Sequence, residues 1–148
     1  MSSFRSFVWD PMLLISQMVC IQSIFYMTVT FLLILYSFFG YDPVLSTIFS
    51  NQASRLMAMC QVAGSLVCAF ALSVVVQRAK QCLDFACTLH FFHLLIVVAF
   101  NLSFPFQLSW WLLQILSCIV CTVGGEFLCM RAESQEIKLE GGPSKYDL

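Results

Sequence analysis

His90 and His93 stand three residues apart in a stretch that carries no formal charge from Phe85 to Gly125, and Glu126 is the first carboxylate beyond them. Positions i and i+3 share one face of a helix, so the two imidazoles point the same way. With a carboxylate beside them they could relay protons, hold a metal through two imidazoles and a carboxylate, or clasp two helices by hydrogen bonds. Ionisable groups inside a membrane are functional candidates by default. All three residues, however, fall within about two or three helical turns of one edge of their apolar runs. There, snorkelling and mutual hydrogen bonding lower the roughly 2.5–3.5 kcal/mol cost of a mid-membrane charge. The favoured reading is a structural polar clasp of His90, His93 and Glu126, with no metal. The runner-up is a small proton-coupled transporter or channel subunit using the same His and Glu residues. Transporters usually have more spans, with helices broken at mid-depth, and here only Gly124-Gly125 suggests a break.

Eight cysteines raise redox chemistry, most sharply at Cys118-x-x-Cys121. An enzyme of that kind needs a second, solvent-reachable pair to pass electrons on, and neither 40–55 nor 101–107, the loops expected on the opposite face, contains a cysteine. Cys20, Cys60, Cys68, Cys118 and Cys121 read better as small packing residues. Cys82 and Cys129, near a membrane edge, are candidates for palmitoylation. The chain is not expected to be an enzyme or to carry a cofactor.

The elements that must position these groups follow from the charge pattern. Charges are absent from Pro11 to Tyr41, from Leu56 to Gln77 and from Phe85 to Gly125; 60% of residues are hydrophobic and 10% charged, against about 25% charged in soluble domains. A bilayer core of about 30 Å takes roughly 20 apolar residues, so these runs predict an all-α integral membrane four-helix bundle. Spans are expected at 12–39, 56–76, 85–100 and 108–130, the last two separated by a turn around Pro105. Asp10-Pro11 has the chemistry of a helix start. Residues 1–11 read as an interfacial segment, with Phe4, Phe7 and Val8 at helical spacing and Arg5 pointing elsewhere. No cleavable signal peptide is evident. Between spans, Ile48 and Phe49 are expected to dip back toward the interface. Ser65, Ala69 and Ser73, with Gly64 and Cys68, read as close-packing positions. Gln17, Gln22, Gln61 and Gln114 read as inter-helix hydrogen-bond donors, and Trp9, Trp110 and Trp111 as interfacial anchors. Asn101-Leu102-Ser103 matches a glycosylation triplet, in a turn too short to carry the acceptor clear of the bilayer.

Four spans put Arg5, Arg78, Lys80, Arg131, Lys138 and Lys145 on one side and Arg55 alone on the other. The positive-inside rule then predicts both termini in the cytosol, a cytosolic loop at 77–84, a cytosolic tail at 131–148, and 40–55 and 101–107 in the lumen. The tail is expected to lose regular structure beyond about residue 139. Charges gather on that cytosolic face as Arg78, Lys80, Asp84, Glu126 and Arg131. Basic residues there attract anionic membrane lipids, whereas a mixed-sign cluster gives the directional pairing of a docking surface for a cytosolic partner. No nucleic-acid partner is expected.

The blocks FRSFVWDP (Phe4 to Pro11), KQCLDF (Lys80 to Phe85), HFFHLL (His90 to Leu95), WWLLQ (Trp110 to Gln114) and GEFLCMR (Gly125 to Arg131), followed by Glu136-Ile137, closely resemble the Sys family of Golgi membrane proteins. The similarity covers nearly the whole chain in consistent order; the first loop and the tail after Leu139 depart from it. The resemblance implies a multi-pass, four-span protein of the trans-Golgi network membrane that serves as a small GTPase receptor in protein transport. Its partner would be a GTP-bound, N-terminally acetylated Arf-related small GTPase, which in turn brings tethering golgins to the membrane for vesicle trafficking. The partner-binding candidates are then Arg78, Lys80, Asp84, Glu126 and Arg131.

Overall fold

In a computed structural model the described residues are 10–42 and 44–140, without the side chains of Leu45 and 138–140. The expected interfacial segment with Arg5, the anchor Trp9, and the end of the tail with Lys145 lie outside them. The first helix, α1, spans Pro11–Ser37. Its start is written in two residues: the Asp10 carboxylate accepts from the amides of Met12 and Leu13 at 3.1 and 3.4 Å, and Pro11 has no amide to leave unpaired. The helix ends two residues before the expected boundary, in a turn that carries Gly40 at φ +92°. A single helical turn, α2 (Leu45–Ile48), interrupts the loop that follows. It tucks Ile48 into the core and sets the Phe49 ring 5.6 Å from Tyr26 and 5.3 Å from Phe100.

Ser54 caps α3 (Arg55–Val75) by accepting from the Met57 amide at 3.2 Å. The chain leaves α3 through Gln77, held at φ +58° with its amide donating to the Leu72 carbonyl, and passes a short 3-10 turn at Ala79–Gln81. From there α4 runs over Cys82–Asn101 and ends on Leu102 in the left-handed region. It starts three residues earlier than the charge pattern suggested, because Asp84 sits in its first turn, where a carboxylate favours the amide end of a helix.

The last helix, α5, covers Leu108–Glu140, ten residues past the expected end of the fourth span. Loss of hydrophobicity after Met130 marks where the helix leaves an apolar solvent, not where its hydrogen bonds stop. Residues 131–140 are mostly good helix formers, and the first glycine after them is Gly141. Nor does Gly124-Gly125 break the helix. A Cβ on Gly124 would meet the Ala69 Cβ at 2.9 Å, and one on Gly125 would meet Leu72 Cδ1 at 3.0 Å and Cys82 Sγ at 3.3 Å. The pair exists so that α5 can approach α3, as small residues do between membrane helices.

The most extensive packing is between α3 and α5, with α1 laid on α3 and α4 on α5. Ile21, Phe25, Val29 and Leu33 recur every fourth residue along the buried face of α1. The outer surface carries Val19, Phe31, Phe70, Phe91, Ile119 and Phe127, all exposed. A surface this apolar requires a hydrocarbon solvent, and four of the helices are long and apolar enough to cross a membrane.

Candidate functional site

The hairpin of α4 and α5 sets the depth of every polar group between them. Cys82 Sγ lies 3.6 Å from Cys129 Sγ, Cys87 Sγ 4.0 Å from Cys118 Sγ, and the His93 ring stacks on Trp110 at 6.4 Å and 13°. His93 therefore sits level with the first turn of α5. Glu126 follows Trp110 by sixteen positions, about 24 Å of helix at about 1.5 Å per residue. Glu126, half-buried, is level with the first turn of α4, far from both histidines. The clasp of His90, His93 and Glu126 does not come together, and a relay through all three loses its carboxylate.

The histidines are engaged elsewhere. His93 Nδ1 is 2.9 Å from the Tyr26 hydroxyl, joining α4 to α1. His90 Nδ1 is 2.8 Å from the Ala86 carbonyl; a carbonyl only accepts, so this nitrogen carries the proton and Nε2 of the neutral ring is left as an acceptor. Trp110 is buried at 3% exposure, a core residue instead of an interfacial anchor, because the tight turn before α5 folds it inward against His93. Trp111 donates its indole N–H to the Pro105 carbonyl at 2.9 Å. Of the four glutamines, Gln17 reaches across to the Val75 carbonyl at 3.0 Å. Gln22 Nε2, Gln61 Nε2 and both amide heteroatoms of Gln114 are buried with no hydrogen-bond partner.

Cysteine chemistry is constrained by the same packing. Cys118 faces Cys87 on α4 rather than Cys121, which is fully buried. Cys82 and Cys129 are 0% and 1% exposed, so the helix packing that pairs their thiols closes both palmitoylation candidates. Asn101 donates its side-chain amide to the carbonyls of Phe49 and Val97 at 2.6 and 2.9 Å, which ties the glycosylation triplet into the loop packing. Among the described residues no group of three or more His, Cys, Asp or Glu could hold a metal ion.

The charged end of the bundle is built by the turn between α3 and α4 and by the projecting last turns of α5. Two open grooves meet there. The larger, about 600 Å³, is lined by Arg78, Ala79, Lys80, Gln81, Met130 and Glu133; the other, about 310 Å³, is lined by Ser73, Val76, Gln77, Arg78, Ala132, Glu133 and Glu136. Arg78 belongs to both, with basic groups on the turn and Glu133 and Glu136 on α5. Of the five residues the sequence placed on this rim, Arg78 and Lys80 line the grooves; Asp84 and Arg131 are exposed and Glu126 half-buried outside the walls. Sequence reading missed Gln77, Met130, Glu133 and Glu136. Met130, Glu133 and Glu136 recur every third residue, a helical signal hidden by treating everything after Met130 as tail.

The family model for SYS1, described as "Integral membrane protein S linking to the trans Golgi network", matches residues 4–139. A Nematostella vectensis protein named "Protein SYS1 homolog" is 38% identical over 97% of this chain and 96% of its own length. A Dictyostelium discoideum protein of the same name is 33% identical over 90% of this chain and 61% of its own. Protein SYS1 of Saccharomyces cerevisiae is 32% identical over 63% of this chain and 45% of its own. No solved structure matches the chain. Since the family match runs through all four membrane-length helices and the turns that join them, the chain belongs to the SYS1 family, integral membrane proteins linked to the trans-Golgi network.

Proposed function

We propose that the chain is a non-enzymatic receptor of the trans-Golgi membrane that recruits an Arf-related small GTPase in its GTP-bound form and so supports golgin tethering and vesicle trafficking. The end of the bundle that carries the start of α1 and the end of α5 faces the cytosol in this reading, as the distribution of Arg and Lys favours. The partner class comes from the family resemblance. What supports the receptor role physically is the groove of about 600 Å³ between the turn at Arg78 to Gln81 and the side of α5.

Its volume is in the range of ligand clefts, about 300–1,000 Å³, which suits the first residues of a peptide better than a whole helix some 10–12 Å across. An acetylated N-terminus has lost its positive charge, so it enters an apolar recess such as the one beside Met130 at less cost than a free amine. Lys80 on one wall and Glu133 on the other offer charges of both signs to the partner's polar face, which gives orientation and selectivity. A weakly bound membrane helix needs a second signal to remain attached, and the receptor supplies it. Asp84, Glu126 and Arg131 lie outside the groove walls and act, in this reading, on the surrounding surface of the partner.

Replacing Lys80→Glu together with Glu133→Lys should release the GTPase from Golgi membranes into the cytosol and abolish co-purification with its GTP-locked form, while receptor abundance stays constant. Undiminished Golgi retention of the GTPase would sink the groove assignment.

A further inference from the structure

Gln61 and Ser65 on α3, His90 and His93 on α4, and Gln114 and Ser117 on α5 are the buried polar side chains among the described residues, and packing puts four of them, Gln61, His90, Gln114 and Ser117, at one height, with His93 to one side of that level and Ser65 to the other. The contacts of His93 with Trp110 and of Cys87 with Cys118 set His90 opposite Gln114. The approach of Ala69 to Gly124 and of Leu72 to Gly125 brings Gln61 level with Gln114 to Ser117. Within this layer Gln61 Nε2, His90 Nε2, Gln114 Nε2, Gln114 Oε1 and Ser117 Oγ have no hydrogen-bond partner. Each forfeits a bond it would make in water, and hydrocarbon offers no replacement.

Sorted by chemistry, the unpaired atoms are complementary. His90 Nε2 is an acceptor because Nδ1 spends its proton on Ala86. Gln114 Oε1 accepts, the two amide nitrogens donate, and the Ser117 hydroxyl does either. They are level with one another and not bonded to one another, and no carboxylate lies at this height to hold a cation. What such a set binds is a small neutral molecule that donates and accepts at once and takes two to four partners, which is water.

We propose that this layer is a built hydration site: a cluster of ordered water enclosed within the bundle, bridging His90 Nε2 and Gln114 to Gln61 and Ser117. The proposal stands apart from the receptor reading, since it concerns the interior and not the charged end. Phe25 is its natural reporter. The ring is 1% exposed and lies 6.3 Å from His90 and 5.9 Å from His93 by ring centroids.

Hydroxyl-radical footprinting by brief X-ray radiolysis, on the full chain in lipid nanodiscs, tests it, because radicals formed from water modify only side chains that water touches. After correction for intrinsic reactivity, Phe25 and Trp110 should be oxidised at rates comparable to Phe104 in the exposed loop, while Leu72, 0% exposed and away from the layer, stays at background. Phe25 and Trp110 at the Leu72 background in the unaltered chain would overturn the site, and that comparison needs no variant. In a Gln61→Leu, Gln114→Leu double variant that retains its helicity and elution volume, Phe25 oxidation should fall to the Leu72 level. Unchanged oxidation there would assign the water to other groups and overturn the proposal as well.

Discussion

A methyl group added to Gly124 would come to 2.9 Å from the Ala69 Cβ, a separation that Cβ atoms essentially never adopt, and neither helix backbone can yield without disturbing the rest of the seam. Gly124→Ala should therefore cost about 1–3 kcal/mol, the usual range for overpacking. The check is a lowered melting temperature in mild detergent against Gly40→Ala, where nothing lies within 4 Å and the penalty comes from φ +92° alone. Equal melting temperatures for Gly124→Ala and the unaltered chain would mean the seam is looser than its geometry. The polar residues of the interior act at the same scale. His93 to Tyr26 and Gln17 to Val75 are specific bonds between helices, each removing a polar group from hydrocarbon, and such bonds fix which faces meet.

Among the elements, α5 joins two solvents on one rod. Its membrane portion buries Trp110, Leu113 and Cys121, and residues 131–137 are exposed all round. The projecting turns are held by local propensity, while the membrane portion is held by packing, so the two parts should separate under mutation. Ser134→Pro removes an intrahelical bond and clashes with the preceding turn, at a local cost of about 3 kcal/mol. It should displace Glu136 and reduce GTPase co-purification while the melting temperature of the bundle is unchanged. A large drop in melting temperature would show instead that the last turns are part of the folding unit. The turn from Gln77 to Gln81 is the other half of the groove, and its shape depends on the positive φ at Gln77 together with the Gln77 amide bond to Leu72.

For the whole molecule, the question with most consequence is which end meets the cytosol. The grooves, the basic turn and the projecting part of α5 share one end, and a receptor must show that end to soluble partners. In sealed Golgi vesicles, tags at both termini should be cut by added protease, and a tag in the 101–107 turn should be cut only after detergent. Protection of either terminal tag before detergent would reverse the orientation and remove the receptor reading with it.

The number and order of the long helices were legible in this sequence, because crossing hydrocarbon demands uninterrupted apolar runs, and helix starts such as Asp10-Pro11 are local chemistry. The charged end was legible as far as Arg78 and Lys80, whose place in a short turn depends only on neighbours in the chain. Depth and facing were decided by the tertiary structure. Whether Glu126 meets His93, whether Trp110 lies inside or at an interface, and whether Cys82 is open to modification all depend on how the α4–α5 hairpin is aligned and on how closely Gly124 lets α5 approach α3. Those are relations between residues distant in sequence, set by side-chain fit across helices, and no periodicity within a single helix encodes them.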